Sequence, residues 1–143
     1  MKQFDYDFKS EGVEEPPGEY SAYKDFTTLA CWKDAREVKL FFNKEIIPQL
    51  PREAKYNIEN QIRNAFISIT ANIAEGYGRF HYREGIQFYR VARGSLFELK
   101  DHLISCRDLN YINEDIYQKG IELIEKAKIS LNGYINYVQQ KIK

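Results

Sequence analysis

Residues 61–79 decide the fold of this chain, and they read Gln61-Ile62-Arg63-Asn64-Ala65-Phe66-Ile67-Ser68-Ile69-Thr70-Ala71-Asn72-Ile73-Ala74-Glu75-Gly76-Tyr77-Gly78-Arg79. The isoleucines recur at helical spacing, yet Asn, Ser and Glu stand where a plain bundle would carry Leu. A second helical segment, Ala92-Arg93-Gly94-Ser95-Leu96-Phe97-Glu98-Leu99, has the same character. Because polar and very small residues in a helical interface need a defined partner, the two segments predict a specific contact between two helices.

Apolar periodicity extends the helical prediction to most of the chain. Thr27 or Thr28 is expected to cap the first helix, which Pro48 stops, and Asn113 is expected to cap the fourth. The predicted helices span residues 28–47, 52–77, 82–109 and 113–141. No stretch alternates with period two for long enough to form a sheet. Four helices joined by short turns predict an all-α fold, an up-down-up-down antiparallel four-helix bundle.

Residues 1–26 form a separate, acidic region, for which we predict an extended N-terminal arm. They hold three Lys against seven Asp and Glu, a net charge of −4, which leaves +4 on residues 27–143 of this neutral chain. The Pro16-Pro17-Gly18 run excludes a helix through its centre. The region is rich in aromatic residues, namely Phe4, Tyr6, Phe8, Tyr20 and Tyr23. A flexible arm and an arm whose aromatic side chains dock on a neighbouring surface both remain open.

Composition indicates one globular domain over residues 27–143. Of the 143 residues, 43% are hydrophobic and 29% are charged, which is typical of a globular protein. No apolar run reaches the ~18 residues of a membrane span, so we expect no membrane association. The first residues, Met1 to Asp7, contain no apolar stretch, and there are only two cysteines. A cytoplasmic protein without a disulfide framework is therefore expected.

The second and third helices carry apolar residues outside their core stripes. In the second helix these are Phe66, Ile67, Ala71 and Ala74, and in the third Phe88, Val91, Phe97 and Ile104. A monomeric bundle would expose them as apolar patches. We therefore expect the chain to self-associate.

Three segments in order resemble the signatures of a known family. They are Leu29 to Ala35 with its Trp32-Lys33 pair, the stretch from Gln61 to Arg79, and Phe88 to Leu99. Together they resemble the four-helix-bundle proteins first noticed as products of intervening sequences in bacterial 23S rRNA genes, also labelled S23 ribosomal proteins. The resemblance covers roughly residues 26–140. Asn64 departs from it, since a second Arg is usual there, and Phe66-Ile67 makes the segment more apolar.

This resemblance implies a closed four-helix bundle that assembles with itself into a homopentameric ring. The chain is also similar, more distantly, to the accessory variability determinant of diversity-generating retroelements, a basic pentamer that works with a reverse transcriptase and nucleic acid. The family has no established activity. The resemblance thus favours a non-enzymatic, self-assembling scaffold or interaction protein without a cofactor, and the alternative is an RNA- or DNA-binding accessory factor.

The polar residues of the two segments are predicted to form a clamp between the second and third helices. If the hairpin turns near Arg79, Gly94 lies opposite Ala65 and allows the backbones to approach closely. The predicted clamp residues are Arg63, Asn72, Glu75, Arg93 and Glu98, with Glu98 pairing with Arg63 and Glu75 with Arg83. A ligand or phosphate site at Asn72, Glu75, Arg79 and Arg83 is the alternative.

Catalysis finds little support in the sequence. His102 and Cys106 stand four residues apart on one helix face, but such a pair is more often packing than a nucleophile with its base. A di-iron bundle site needs two Glu-x-x-His pairs, whereas Glu98 precedes His102 by four residues. Gly76-Tyr77-Gly78-Arg79 lacks the Lys-Ser/Thr of a phosphate-binding loop. We predict no catalytic residue and no metal site.

A nucleic-acid surface remains an open alternative near the hairpin turn. Arg79, Arg83 and Arg90 share one side of the third helix, with Tyr77 and Tyr82 nearby. Basic and aromatic side chains together suit phosphate contact and base stacking. The other interpretation is a solvated helix face with intrahelical ion pairs.

Overall fold

The computed structural model describes residues 25–142 and folds them into four long helices. They are α1 (Ala30–Phe41), α2 (Ile58–Gly78), α3 (Tyr82–Asp108) and α4 (Glu114–Ile142). Short helical turns at Phe26–Thr28, Phe42–Ile46, Ile47–Gln49 and Arg52–Ala54 flank α1. Residues 25–142 contain no strand, so the predicted all-α fold is confirmed. The predicted N-terminal arm and the docking of its aromatic residues lie outside the described residues, except for Asp25 and Phe26.

Contacts between the helices show that neighbours in the chain run antiparallel. Ser68 of α2 contacts Ser95 of α3. Gly76, which comes later in α2, lies against Gly85, which comes earlier in α3. The same reversal joins α3 to α4 and α4 to α1, through the pairs Arg93–Asn132 and Lys100–Glu125, and Phe41–Gly120 and Asp34–Lys126. These contacts give the bundle an up-down-up-down course.

A continuous apolar core lies between the four helices. Each contributes a fully buried side chain at its centre: Val38, Ile69, Leu96 and Leu131. Every helix places such residues at spacings of three and four, so one stripe of each faces the axis. The largest buried side chains include three tyrosines, Tyr77, Tyr82 and Tyr89.

Two predicted helix starts are wrong. α2 begins at Ile58 rather than at residue 52, because Asn57 has a non-helical backbone and its side chain accepts from the N–H of Ile58. At α1 neither threonine caps the helix, since Leu29 holds the cap position without a side-chain bond. Asp25 instead accepts from the backbone N–H of Thr27 at 3.0 Å and caps the preceding short turn.

The two connections that flank α3 are tight and use left-handed backbone at one residue each. Phe80, between α2 and α3, has φ 53°, and Asn110, after α3, has φ 63°. Asn tolerates this conformation better than most residues. Asn113 Oδ1 accepts from the N–H of Ile116 at 2.9 Å, which confirms the predicted cap of α4.

Candidate functional site at the outer surface of α2 and α3

α2 and α3 approach each other closely at two glycines near the hairpin turn. A Cβ added to Gly76 would stand 2.6 Å from Cε1 of Tyr89 and 3.0 Å from the carbonyl oxygen of Gly85. A Cβ on Gly85 would stand 3.0 Å from the carbonyl oxygen of Gly76. Neither position has room for a side chain without movement, so both glycines are needed for the packing of this end.

Gly94 does not form the predicted close contact with Ala65. It is exposed, and a Cβ added to it would meet nothing within 4 Å. The next residue, Ser95, faces α2 instead, and Ala65 is buried in the core. The error is one of helix face, because Gly94 lies on the exposed side of α3, whichever α2 residue stands level with it.

One predicted clamp residue, Asn72, bonds within α2 to the serine that reaches α3. Its Nδ2 donates to the carbonyl oxygen and to Oγ of Ser68, both at 2.9 Å. Ser68 Oγ in turn lies 2.8 Å from Ser95 Oγ on α3. These two serines carry the polar link between the helices, and the prediction did not assign them to the clamp. The available signal was that each of the two segments contains a serine and that Ser68 lies one helical turn from Asn72.

The other four predicted clamp residues find partners elsewhere. Arg63 binds Glu59, Glu75 binds Arg79, Glu98 binds His102 and Arg93 binds Asn132 of α4, each at 3.0 Å. The predicted pairs of Arg63 with Glu98 and of Glu75 with Arg83 are therefore wrong. Three of the four observed contacts join residues four apart in the sequence. Side chains at this spacing are neighbours on a helix, so local partners take precedence over partners across the interface.

The predicted nucleic-acid contacts are only partly accessible. Tyr77 and Tyr82 are 2% and 1% exposed, so their rings cannot stack on a base, and their assignment is wrong. Arg79 pairs with Glu75 and lies 4.9 Å over the ring of Phe88. Arg83 and Arg90 are exposed and form no ion pair or hydrogen bond with another residue of 25–142.

Three large apolar side chains of α2 and α3 are exposed, and two of them stand three residues on either side of Gly94. Ile67 of α2 is 56% exposed, and Val91 and Phe97 of α3 are 53% and 52% exposed. The ammonium group of Lys128, from α4, lies 4.2 Å over the Phe97 ring. We call the exposed residues of α3 the outer α3 surface, formed by Arg83, Glu84, Gln87, Arg90, Val91, Gly94, Phe97, Glu98, Asp101 and Asp108.

The Cys106 and His102 pair does not have the properties of a nucleophile and its base. Burial raises the pKa of the Cys106 thiol to about 11, so the reactive thiolate is scarce at neutral pH. His102 Nε2 contacts Glu98 Oε2. Between residues 25 and 142, no group of three His, Cys, Asp or Glu side chains could hold a metal ion.

A family model described as 23S rRNA-intervening sequence protein matches residues 27–133. No curated protein matches the chain. No helix within the described residues is both long and apolar enough to span a bilayer. The resemblance to the accessory variability determinant stays a prediction.

Proposed function

We propose that this chain, which belongs to the 23S rRNA-intervening sequence protein family, is a self-associating helical scaffold without a catalytic role. The observation that carries this proposal is the exposure of large apolar side chains on α2 and α3. Ile67, Val91 and Phe97 are each more than half exposed, although single chains usually scatter such residues over their surface. Covering them with another subunit removes apolar area from water, at about 25 cal/mol per Å².

The state of the reactive groups supports a structural role. The Cys106 thiol is buried and protonated at neutral pH. Carboxylates that could act as acids or bases, Glu59, Glu75 and Glu98, bind basic neighbours on their own helices. These pairs hold the helices in shape and direct no group toward a shared cleft.

Light scattering coupled to gel filtration tests the proposal. We expect a mass of more than one subunit, and five is the number that the family resemblance implies. Phe97→Lys should weaken the association roughly tenfold or more, as removal of a central aromatic contact commonly does. Tyr56→Lys is the matched control, because Tyr56 is 84% exposed but precedes α2. A single-subunit mass for the unmodified chain at ~100 μM, which is ample for contacts of micromolar affinity, contradicts the proposal.

Nucleic-acid binding is the second candidate function, supported by Arg83 and Arg90. Both guanidinium groups lack a partner among residues 25–142, and they stand two turns apart on one helix face. Arg83→Ala combined with Arg90→Ala should then reduce retention of mixed RNA at ~50 mM salt, where phosphate contacts are strong. Retention that is absent at this salt, or unchanged in the double variant, rules the candidate out.

A further inference from the structure

Charge is unevenly distributed along the α3–α4 helix pair. The half that lies at the α2–α3 turn, residues 82–94 and 129–142, holds four Lys or Arg against one Glu. The other half, residues 95–108 and 114–128, holds five Lys or Arg against seven Asp or Glu. The single acidic residue of the turn half, Glu84, lies three turns before Ser95, on the side of α3 that faces α2. The side that faces α4 is therefore basic at this end.

Arg83 and Arg90 lie on that side of α3. They stand fourteen and seven residues before Phe97, whose ring contacts Lys128 of α4. Residues seven apart on packed helices share a face. Both arginines are exposed and form no ion pair or hydrogen bond with another residue of 25–142. Their charges are therefore available to a partner that lies beside α4.

A cleft on α4 lies level with these arginines. Its volume is about 570 Å³, within the range of ligand pockets. The Arg93–Asn132 hydrogen bond sets the register of the two antiparallel helices. Gln139, about two turns beyond Asn132, therefore stands level with the residues between the two arginines. We call Arg83, Arg90 and this cleft the basic groove, and the described lining of the cleft is Asn136, Gln139, Gln140 and Ile142.

The side chains of the basic groove suit an acidic peptide. Arginine pairs with carboxylates through two parallel hydrogen bonds, and amide side chains both donate and accept, as the backbone of an extended peptide requires. The chain itself contains such a peptide. Residues 11–19 hold four glutamates and no Lys or Arg, and Pro16 and Pro17 favour extended backbone.

This acidic segment belongs to the end of the bundle that carries the groove. Because α1 runs antiparallel to α4, the start of α1 lies beside the α2–α3 turn, and the short turn Phe26–Thr28 contacts α2. Residue 19 stands six residues before Asp25, which an extended chain spans in about 21 Å, and residue 11 can reach about 49 Å. Arg83 and Arg90 are only about 10 Å apart along α3. The tether therefore reaches the groove and supplies a high effective concentration there.

We propose that residues 11–19 bind in the basic groove of their own chain. The glutamates pair with Arg83 and Arg90, and the amide groups of the cleft bond the backbone of the segment. The contact leaves Val91, Gly94 and Phe97 of the outer α3 surface uncovered, so it is compatible with self-association and with a ring of subunits. Because it occupies both arginines of the second candidate function, nucleic acid and this segment compete for the groove.

A disulfide between the segment and the groove tests the contact in the full chain. Val13→Cys keeps all four glutamates, and Gln87→Cys lies at an exposed site between Arg83 and Arg90. Val13→Cys with Gly78→Cys is the matched control, since Gly78 is exposed, open at its Cβ position and on the helix that Phe26–Thr28 contact. The two native cysteines are buried and should not react. We expect limiting copper–phenanthroline oxidation to link position 13 to position 87 about fivefold faster than to position 78, within single chains.

An exchange of charges tests the pairing. In the Val13→Cys, Gln87→Cys chain, Arg83→Glu with Arg90→Glu should remove most of the preference for position 87, because like charges then face each other. Adding Glu14→Lys with Glu15→Lys should restore it, since the ion pairs return in reverse. Lys119→Glu, at an exposed site in the other half of α4, should leave the preference unchanged.

Each contrary outcome has a definite meaning. Equal linking at positions 78 and 87, or a preference that persists in the Arg83→Glu, Arg90→Glu chain without rescue, overturns the contact and assigns the groove to a partner other than this segment. A linked product with the mass of two chains overturns binding within the chain and assigns the segment to a neighbouring subunit. A single-subunit mass for the unmodified chain overturns the proposed self-association alone, because linking within one chain does not depend on it.

Discussion

Two glycine-containing regions of the α2–α3 hairpin differ in what surrounds them. At the turn end, Gly76 and Gly85 lie so close together that a Cβ on either would stand 3.0 Å from the other's carbonyl oxygen. In the middle of α3, nothing stands within 4 Å of the Cβ position of Gly94. A glycine costs ~1 kcal/mol relative to alanine in a helix interior. The internal packing offsets this cost at the turn end, whereas no contact within the described chain offsets it at Gly94.

The difference shows that a small residue in a helix can serve two kinds of contact. Gly76 and Gly85 allow two helices of one chain to approach. Gly94 leaves the same kind of space on the outside, flanked by Val91 and Phe97, where a second copy can enter. Sequence spacing alone does not distinguish a glycine in a contact within the chain from a glycine on its outer surface, whereas substitutions at each position do.

The largest effect is expected from Gly76→Ala. The added methyl group clashes with the Tyr89 ring and with backbone of α3, and overpacking of this kind costs about 1–3 kcal/mol. Urea unfolding of the variant measures the loss. Gly78→Ala is the control, because a Cβ at Gly78 meets nothing within 4 Å. Equal stability of the two variants would show that the turn end is not tightly packed.

A smaller effect is expected at the hydroxyl pair that links α2 and α3 between these two regions. Ser68→Ala and Ser95→Ala should each reduce the free energy of unfolding by about 1 kcal/mol. The double variant should lose less than the two single losses together, since both remove the same hydrogen bond. Ser130→Ala removes only a bond within α4, to Ala127, and serves as the control. Additive losses would contradict a direct Ser68–Ser95 bond.

Gly94→Ala should act in the opposite direction on the single folded chain. Alanine has the higher helix propensity and fits the open space, so stability measured at low protein concentration should rise by ~0.5–1 kcal/mol. Gly133→Ala should give a similar gain. At high concentration only Gly94→Ala should associate less, because its methyl group fills the open space between Val91 and Phe97. A fall in the stability of the Gly94→Ala chain at low concentration would contradict the open environment of Gly94.

The sequence predicted the helices and the existence of a polar contact between α2 and α3, because periodicity and turn residues are local signals. It failed on which residues meet. Successive residues on a helix point about 100° apart, so counting residues from the turn does not show that Gly94 faces outward while its neighbour Ser95 faces α2. Asn72 bonds to Ser68 within α2, and Ser68, which the prediction did not assign, is the residue that reaches Ser95 of α3.

The ion pairs were mispredicted for a different reason. Arg63 and Glu98 were expected to meet across the helices, but each has an oppositely charged or basic neighbour four residues away on its own helix. The sequence pattern also did not predict that Tyr77 and Tyr82 are buried. An aromatic residue beside arginines reads as a surface patch, and only the packing of four helices shows that these rings point inward.

The smallest effect is expected beside the open region, at Glu125. Its hydrogen bonds to Lys128 and Lys100 lower the pKa of this carboxyl below its ordinary value of 4.5. A lowered pKa means that ionised Glu125 stabilises the fold above that value and that the contribution is lost as the pH falls through the folded-state pKa. The side chain is 41% exposed, so solvent limits the contribution to a fraction of about 1 kcal/mol.

Glu125→Gln should therefore be slightly less stable than the unmodified chain at pH 7, with the difference shrinking as the pH falls below about 4.5. Urea unfolding at both pH values measures it, and Glu122→Gln, at an exposed site one turn earlier on α4, should show no such change. A pH-independent difference would mean that Glu125 acts through packing rather than through its charge. In that case Lys128 would be held over Phe97 without help from this carboxylate, and the border of the open region would depend on the cation–π contact alone.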